Sequence, residues 1–164
     1  MAQIAISPAQ ENEFAGKIWP ILESTIRAGD VFALPTDMSL EAARTYWFAP
    51  GNHVFIATAN DGVAGSYYVR ANAQGGGGHV ANAGFVTVPA LRGRGVARAM
   101  GEHALAHAKT LGFEAMQFNF VVATNASAVH LWRSLGFAIV GTLPRAFALP
   151  SGEFSDVFVM YRAL

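Results

Sequence analysis

Glycines and arginines alternate in one short run able to hold an anion, Arg92-Gly93-Arg94-Gly95-Val96-Ala97. It follows a stretch of strand texture, Val86-Thr87-Val88-Pro89, and opens a long segment of helical periodicity. The first turn of a helix presents unpaired N–H groups and a partial positive charge. Glycines let a backbone approach a ligand closely. Arg92, Arg94 and Arg98 add three cations within seven residues. Such a combination is an anion cradle whose natural guest is a diphosphate. A glycine turn dressed with solvated arginines accounts for the same letters. The run is not a Walker loop, since no Gly-Lys-Ser/Thr follows, and it lacks the three-glycine spacing of the dinucleotide fingerprint.

A second run, Asn125-Ala126-Ser127-Ala128-Val129-His130-Leu131-Trp132-Arg133-Ser134-Leu135-Gly136-Phe137, reads as a helix with its boundaries marked. Asn125 suits an N-cap and Gly136 a left-handed C-terminal cap. By itself this segment needs no function: Leu131, Leu135 and Phe137 serve as core.

In combination the two runs resemble the GNAT superfamily of acyl-CoA N-acyltransferases. That family's pyrophosphate loop reads Gln/Arg-x-x-Gly-x-Gly/Ala, which Arg92 to Ala97 fit. Its later helix reads roughly Asn-x-x-Ala-x-x-Leu-Tyr-x-x-x-Gly-Phe, and Asn125, Ala128, Leu131, Gly136 and Phe137 fall on it in register. The resemblance covers nearly the whole chain, and the stretch from 85 to 137 carries most of its specificity. It implies acetyl-CoA as cosubstrate and fourth and fifth strands that splay apart after Val88 and Phe120, with the pantetheine arm between them. Phe85, Val86 and Val88 would offer backbone groups to that arm. Arg92 and Gly93, with the N–H groups of Arg94, Gly95, Val96 and Ala97, would hold the pyrophosphate. Asn125 would bond the pantetheine, with Ala128 and Trp132 beside it.

One departure bears on mechanism. The family commonly has Tyr, assigned as the acid that reprotonates the departing thiolate, where this chain has Trp132. An indole N–H donates a hydrogen bond but not a proton. A thiol of ordinary acidity, pKa ~8.5, still leaves tolerably near neutral pH. The thiolate therefore either leaves without a protein acid, helped by Trp132 or water, or is protonated by another group, with Trp132 then only walling the acyl pocket. The implied reaction is direct attack of a neutral amine on the thioester, with a backbone N–H near Val86 polarising the carbonyl. Many members place a carboxylate on the fourth strand, but His79-Val80-Ala81-Asn82-Ala83-Gly84-Phe85 holds none. Asn82 and Asn119 are the candidates to orient the acceptor or a water relay, with sheet-edge polarity the alternative. The acceptor entrance is expected in the loop holding Phe32, Pro35, Thr36, Asp37, Met38 and Glu41. There Asp37 or Glu41 either draws in a cationic amine or caps the second helix. Tyr67 and Tyr68 are neighbours on one strand, so at most one faces the site.

The elements that must position these residues follow from periodicity. Ile4 and Ile6 alternate as a short strand. Pro8 to Ala28 repeats apolar residues at helical spacing, with Pro20 expected to kink or split it, and Ser39 to Phe48 is a second helix. Strands follow at Val54–Ala57, Val63–Arg70 and His79–Val88, the first two joined by an Asp61-Gly62 turn and the next two by a glycine-rich hairpin loop. Then come a helix from Val96 to Leu111, a strand from Met116 to Val122, a helix from Asn125 to Leu135, and strands at Phe137–Leu143 and Phe154–Arg162. A helix separates the fourth and fifth strands, so they should run parallel with a right-handed crossover. The rest should form an antiparallel meander. The expected fold is α/β: a mixed, mostly antiparallel sheet of six to seven strands with helices on both faces, the GNAT fold by resemblance. One domain, 1–164, is expected, with no internal repeat.

Composition limits the possible functions. Charged residues make up 13% of the chain, against roughly 25% in an ordinary domain. Apolar surface is thus available for a dimer interface, and a homodimer is expected. A formal net charge of zero argues against a nucleic-acid partner. The lack of cysteine excludes disulfides, thiolate metal sites and a cysteine nucleophile, and suits a cytoplasmic location. No basic leader and no uncharged apolar run near ~18 residues is present, so no signal peptide and no membrane span are expected. His103 and His107 lie four apart, but no carboxylate offers a third ligand, so no metal is expected and the pair reads as a solvated helix face. His130 and Arg133 read as exposed. The expected activity is N-acetyl transfer from acetyl-CoA to a primary amine of a small molecule, the apolar Val31–Leu40 loop favouring a lidded pocket. An open trench would suit a peptide or protein acceptor instead. A weakly catalytic acyl-CoA-binding sensor is the third possibility, on the strength of Trp132 and the missing carboxylate.

Overall fold

A computed structural model describes residues 3–60 and 62–164; Asp61 of the expected turn, and Met1 and Ala2, lie outside the described residues. Seven strands form one sheet: β1 (Ile4–Pro8), β2 (His53–Ala59), β3 (Gly62–Ala71), β4 (Val80–Thr87), β5 (Ala115–Val122), β6 (Ala138–Ala148) and β7 (Phe154–Ala163). Their order is β1-β2-β3-β4-β5-β7-β6. Every neighbouring pair is antiparallel except β4 and β5, as the intervening helix required.

Helices cover both faces. Phe14, Ile18, Leu22, Ile26 and Trp47 are buried on one side by α1 (Trp19–Ala28), the turns before it and α2 (Leu40–Trp47). Val96, Met100, Ala104 and Trp132 are buried on the other by α3 (Val96–Thr110) and α4 (Ala126–Ser134). Each fully buried aliphatic side chain contributes roughly 1.5–3 kcal/mol. Period-two alternation divides β3 between the layers: Tyr67 and Val69 face α3, whereas Ser66 and Tyr68 face α1 and α2. Ser39 caps α2 by accepting the Ala42 N–H. The Trp47 indole then locks α2 to the sheet by donating to Ser66 Oγ, 3.1 Å away.

Three elements differ from the expected pattern. The first helical segment does not begin at Pro8, which still belongs to β1, and Pro20 splits it rather than kinking it: α1 starts around Pro20, and the preceding turn, Phe14–Ile18, is a π turn in which the Trp19 N–H donates to Phe14 O. The wider turn absorbs the donor a proline lacks. β6 does not end at Leu143 but continues to Ala148 through an irregularity in which Arg145 has φ 53° and its N–H donates to Asp156 Oδ1 at 2.8 Å. The third difference is where β4 and β5 part. They pair only at Val80–Ala115 and Ala81–Met116, well before Val88 and Phe120. A wedge of rings holds them open, with Phe85, Phe118 and Trp132 at centroid separations of 4.7–6.0 Å.

Candidate active site

The direction of each backbone group along β4 decides what the gap offers. Val88 N–H donates to Ala64 O, and Asn72 N–H donates to Val80 O. The β3–β4 register is regular between those points. In an antiparallel pair the residues that exchange bonds alternate with those that do not. Val80, Asn82, Gly84, Val86 and Val88 therefore turn their backbone groups to β3. Ala83, Phe85 and Thr87 turn theirs into the gap. Val86 and Val88 thus do not supply the backbone groups expected of them, and the N–H expected near Val86 belongs to Phe85 or Thr87. The Ala83 N–H is already bonded, to its neighbour's Asn82 Oδ1 at 2.7 Å.

A cavity of about 840 Å³ fills the open end of the gap. Phe85, Val86 and Thr87 line it on β4, Gly93, Gly95 and Ala97 at the start of α3, and Asn125, Ala128 and Trp132 on the α4 side. Helix α3 starts with Gly95 in a left-handed conformation, φ 85°, preceded by Gly93 at φ 77°. The first bond of the helix is from Ala99 N–H to Gly95 O. That leaves the N–H groups of Gly95, Val96, Ala97 and Arg98 without intrahelical acceptors. The Arg94 N–H, expected in the cradle, is used by Leu91 O at 3.2 Å, and its side chain does not line the cavity. Arg92 and Arg98 do line it, Arg98 steadied by Ser134 Oγ at 2.7 Å. Asn125 caps α4, with Oδ1 accepting from Ala128 N–H at 3.4 Å and from Ser127 Oγ, so its amide nitrogen is the part left for a ligand.

On the α1–α2 side, a second cavity of about 230 Å³ meets the gap near its apex. Val31, Phe32, Ala33 and Leu34 roof it, and Tyr46, Tyr68, Arg70, Asn82 and Asn119 give it polar atoms. Arg27 pins the roof loop by donating to the carbonyls of Thr36 and Met38. Val31 lines both cavities, and β4 passes from one to the other between Gly84 and Phe85. Tyr46 and Tyr68 hydroxyls lie 3.2 Å apart, and burial pushes the Tyr68 phenol well above its ordinary pKa. Tyr67 points the opposite way, to His103. Asn119 spans the apex, its Nδ2 donating to Asn72 Oδ1 at 2.7 Å and its Oδ1 accepting from Gln117 at 2.8 Å.

Several expected roles find other partners. Pro35, Thr36, Asp37, Met38 and Glu41 do not line the acceptor-side cavity. Asp37 is exposed, and Glu41 is held by Arg44, so neither carboxylate meets an entering amine. His103 and His107 do not form a solvated face. They pack against Phe55 on β2, with the His53 ring 5.4 Å from that of His107, because this stripe of α3 lies over the sheet. No three-residue cluster suited to a metal occurs among the described residues. His130 and Arg133 are exposed as expected. Tyr46 and Arg70 carried no expectation. The available signal for Arg70 was a lone charge in an apolar strand, two residues beyond Tyr68 and so on the same face.

Comparison with known proteins agrees with this geometry. Residues 19–137 match the sequence model of the acetyltransferase (GNAT) family. The N-acetyltransferase aca1 of Schizosaccharomyces pombe is 32% identical over 96 residues, which is 58% of this chain. The match spans only 46% of that relative's length. A GCN5-related N-acetyltransferase from Kribbella flavida superposes with a TM-score of 0.91 at 38% identity, covering 98% of both chains. At 19% identity, yncA from Salmonella typhimurium, a proposed acetyltransferase solved with its cofactor acetyl-CoA, shares the fold with a TM-score of 0.86 over 99% of this chain and 94% of its own.

Proposed function

The chain belongs to the GNAT family of acetyltransferases, and from that membership we propose that it transfers an acetyl group from acetyl-CoA to the primary amine of a small molecule. The observation that carries the choice of acceptor is the roofed cavity of about 230 Å³ at the apex of the gap. At ~30 Å³ per water it holds about eight waters, the room of a compact metabolite rather than of a polypeptide segment.

The residues present fit the coenzyme. The free N–H groups from Gly95 to Arg98, with Arg92 and Gly93 beside them, suit a diphosphate. The gap-facing edges of Phe85 and Thr87 suit the amides of a pantetheine arm, as an added strand does. The Asn125 amide nitrogen is a further donor to it. Bound acetyl-CoA supplies the thioester that an amine attacks. The Phe85 N–H is the donor proposed to polarise its carbonyl, a role typically worth 10²–10³-fold in rate. Trp132 closes the acyl side. Asn82, with Asn119 behind it, orients the amine. No carboxylate or histidine lines the acceptor-side cavity, so the amine's proton leaves to water.

The proposal includes a single domain over 1–164 acting as a cytoplasmic homodimer, for which the low charge and the exposed Val140 and Leu143 on edge strand β6 speak. No described helix is long and apolar enough to cross a membrane. The deciding experiment is an acetyl-CoA thiol-release screen across small amines, amino acids and peptides. Turnover on small amines is expected. Turnover confined to peptides, or coenzyme binding with no turnover on any amine, overturns the assignment in favour of a protein acetyltransferase or a sensor.

A further inference from the structure

The acceptor-side cavity has an electrostatic sign. Among the described residues lining it, Arg70 alone carries a formal charge. Arg70 is partly buried near the end of β3, opposite Asn82 in register. Its guanidinium carbon sits 5.4 Å from the centre of the Tyr68 ring. Among the described residues it forms no ion pair: the carboxylates that pair do so with Lys17, Arg27, Arg44 and Arg98. Asp30, next to the roof in sequence, lines the larger cavity instead.

An arginine in this setting is a built receptor for an anion. Stacking on Tyr68 restricts the guanidinium before any ligand arrives. Its planar fork matches a carboxylate through two parallel bonds. The Tyr46 and Tyr68 hydroxyls share one hydrogen bond between them, so one O–H remains free to donate. Burial holds the Tyr68 phenol far from ionisation, so it stays a protonated donor beside an anion. An unpaired cation would also repel a purely cationic amine. We infer that the acceptor is a compact amino acid, whose carboxylate is held by Arg70 and the tyrosine hydroxyl pair while its amine faces the parted strands beyond Asn82; this stands on the small-molecule acetyl-transfer assignment above.

The experiment compares matched acceptors in the thiol-release assay: free amino acids, their carboxamides and their decarboxylated amines. The native enzyme should favour the free amino acid by at least about tenfold in kcat/KM, a modest value for a charge-assisted pair. In Arg70→Met the ratio should fall to about one, through a raised KM for the amino acid, and Arg70→Lys should restore part of it. Titration of N-acetyl amino acids into the CoA-bound protein gives a readout free of turnover: they should bind the native protein and bind Arg70→Met at least about tenfold more weakly. If the native enzyme prefers carboxamides or decarboxylated amines, or if Arg70→Met keeps the native ratio, the Arg70 inference fails and the small-amine assignment survives. If only peptides turn over, or no amine does, both fail. Circular dichroism checks the fold of Arg70→Met; should it be unfolded, Arg70→Lys and the native preference decide the matter.

Discussion

Trp132 is 8% exposed and wedged among Phe85, Phe118 and Phe137, so its ring props the gap open as well as bordering it. Trp132→Ala should therefore lower stability by about 3–5 kcal/mol, read as a fall in Tm. Trp132→Phe keeps a ring and loses only the N–H. It should lower kcat by less than about tenfold, since an indole supplies no proton to lose. Gly84 offers a second residue-scale test. A Cβ there would lie 2.6–2.8 Å from ring atoms and the hydroxyl of Tyr68. Gly84→Ala should displace that ring and raise the acceptor KM by about tenfold or more while leaving CoA affinity intact, because Phe85 and Thr87 line the larger cavity and Gly84 does not. With no histidine or carboxylate at the acceptor, kcat/KM should climb steadily with pH toward the pKa of the amine. A plateau set by a group near pH 6–7 would show that a base has been overlooked.

At the scale of elements, what matters is the first turn of α3. Its donors point at the cavity only because the chain enters the helix through Gly95 at φ 85°. Nothing lies within 4 Å of where a Cβ would sit, so the constraint is conformational rather than steric. Gly95→Ala should cost about 1–2 kcal/mol of backbone strain and weaken CoA binding in a calorimetric titration. The two loop arginines differ in the same assay. Arg92→Ala should weaken CoA more than Arg94→Ala, because Arg92 lines the cavity and Arg94 does not. Equal losses would place both cations on the diphosphate. The motif fixes Arg92 and leaves Arg94 at a free position, and the structure likewise turns Arg92 and not Arg94 to the cavity.

Across the whole molecule, the face remote from the acceptor brings together His53 of β2, Tyr67 of β3 and both histidines of α3. Burial lowers the His103 pKa; burial, then His53 and His103, lowers that of His107. Among the described residues, His107 Nε2 is buried without a hydrogen-bond partner. An unfolded chain takes up these protons near pH ~6.5, whereas the native state resists them. The stability they confer is complete above that pH and erodes as pH falls below it. Tm measured from pH 8 to 5 should decline through that window, and His107→Leu should flatten the decline. An unchanged slope in that variant would assign acid sensitivity to other groups.

Periodicity and two motifs carried a large part of this protein into view from its residues alone. The order of elements, the parallel β4–β5 pair and the glycine-led start of α3 with its free N–H groups were legible because each rests on local rules: apolar spacing, glycine conformation and the N–H groups every helix leaves free. Asn82 and Asn119 were legible as candidates for the same reason, being polar in an apolar context. What letters could not carry was direction and distance. Whether Val86 or Phe85 faces the gap depends on which β4 residues bond to β3, a matter of pairing register between segments far apart in the chain. Where β4 and β5 part depends on three rings from β4, β5 and α4 meeting in one wedge. The sign of the acceptor cavity depends on Arg70 arriving there while Asp37 and Glu41 do not. Each is a long-range packing outcome, so only the tertiary structure decides it.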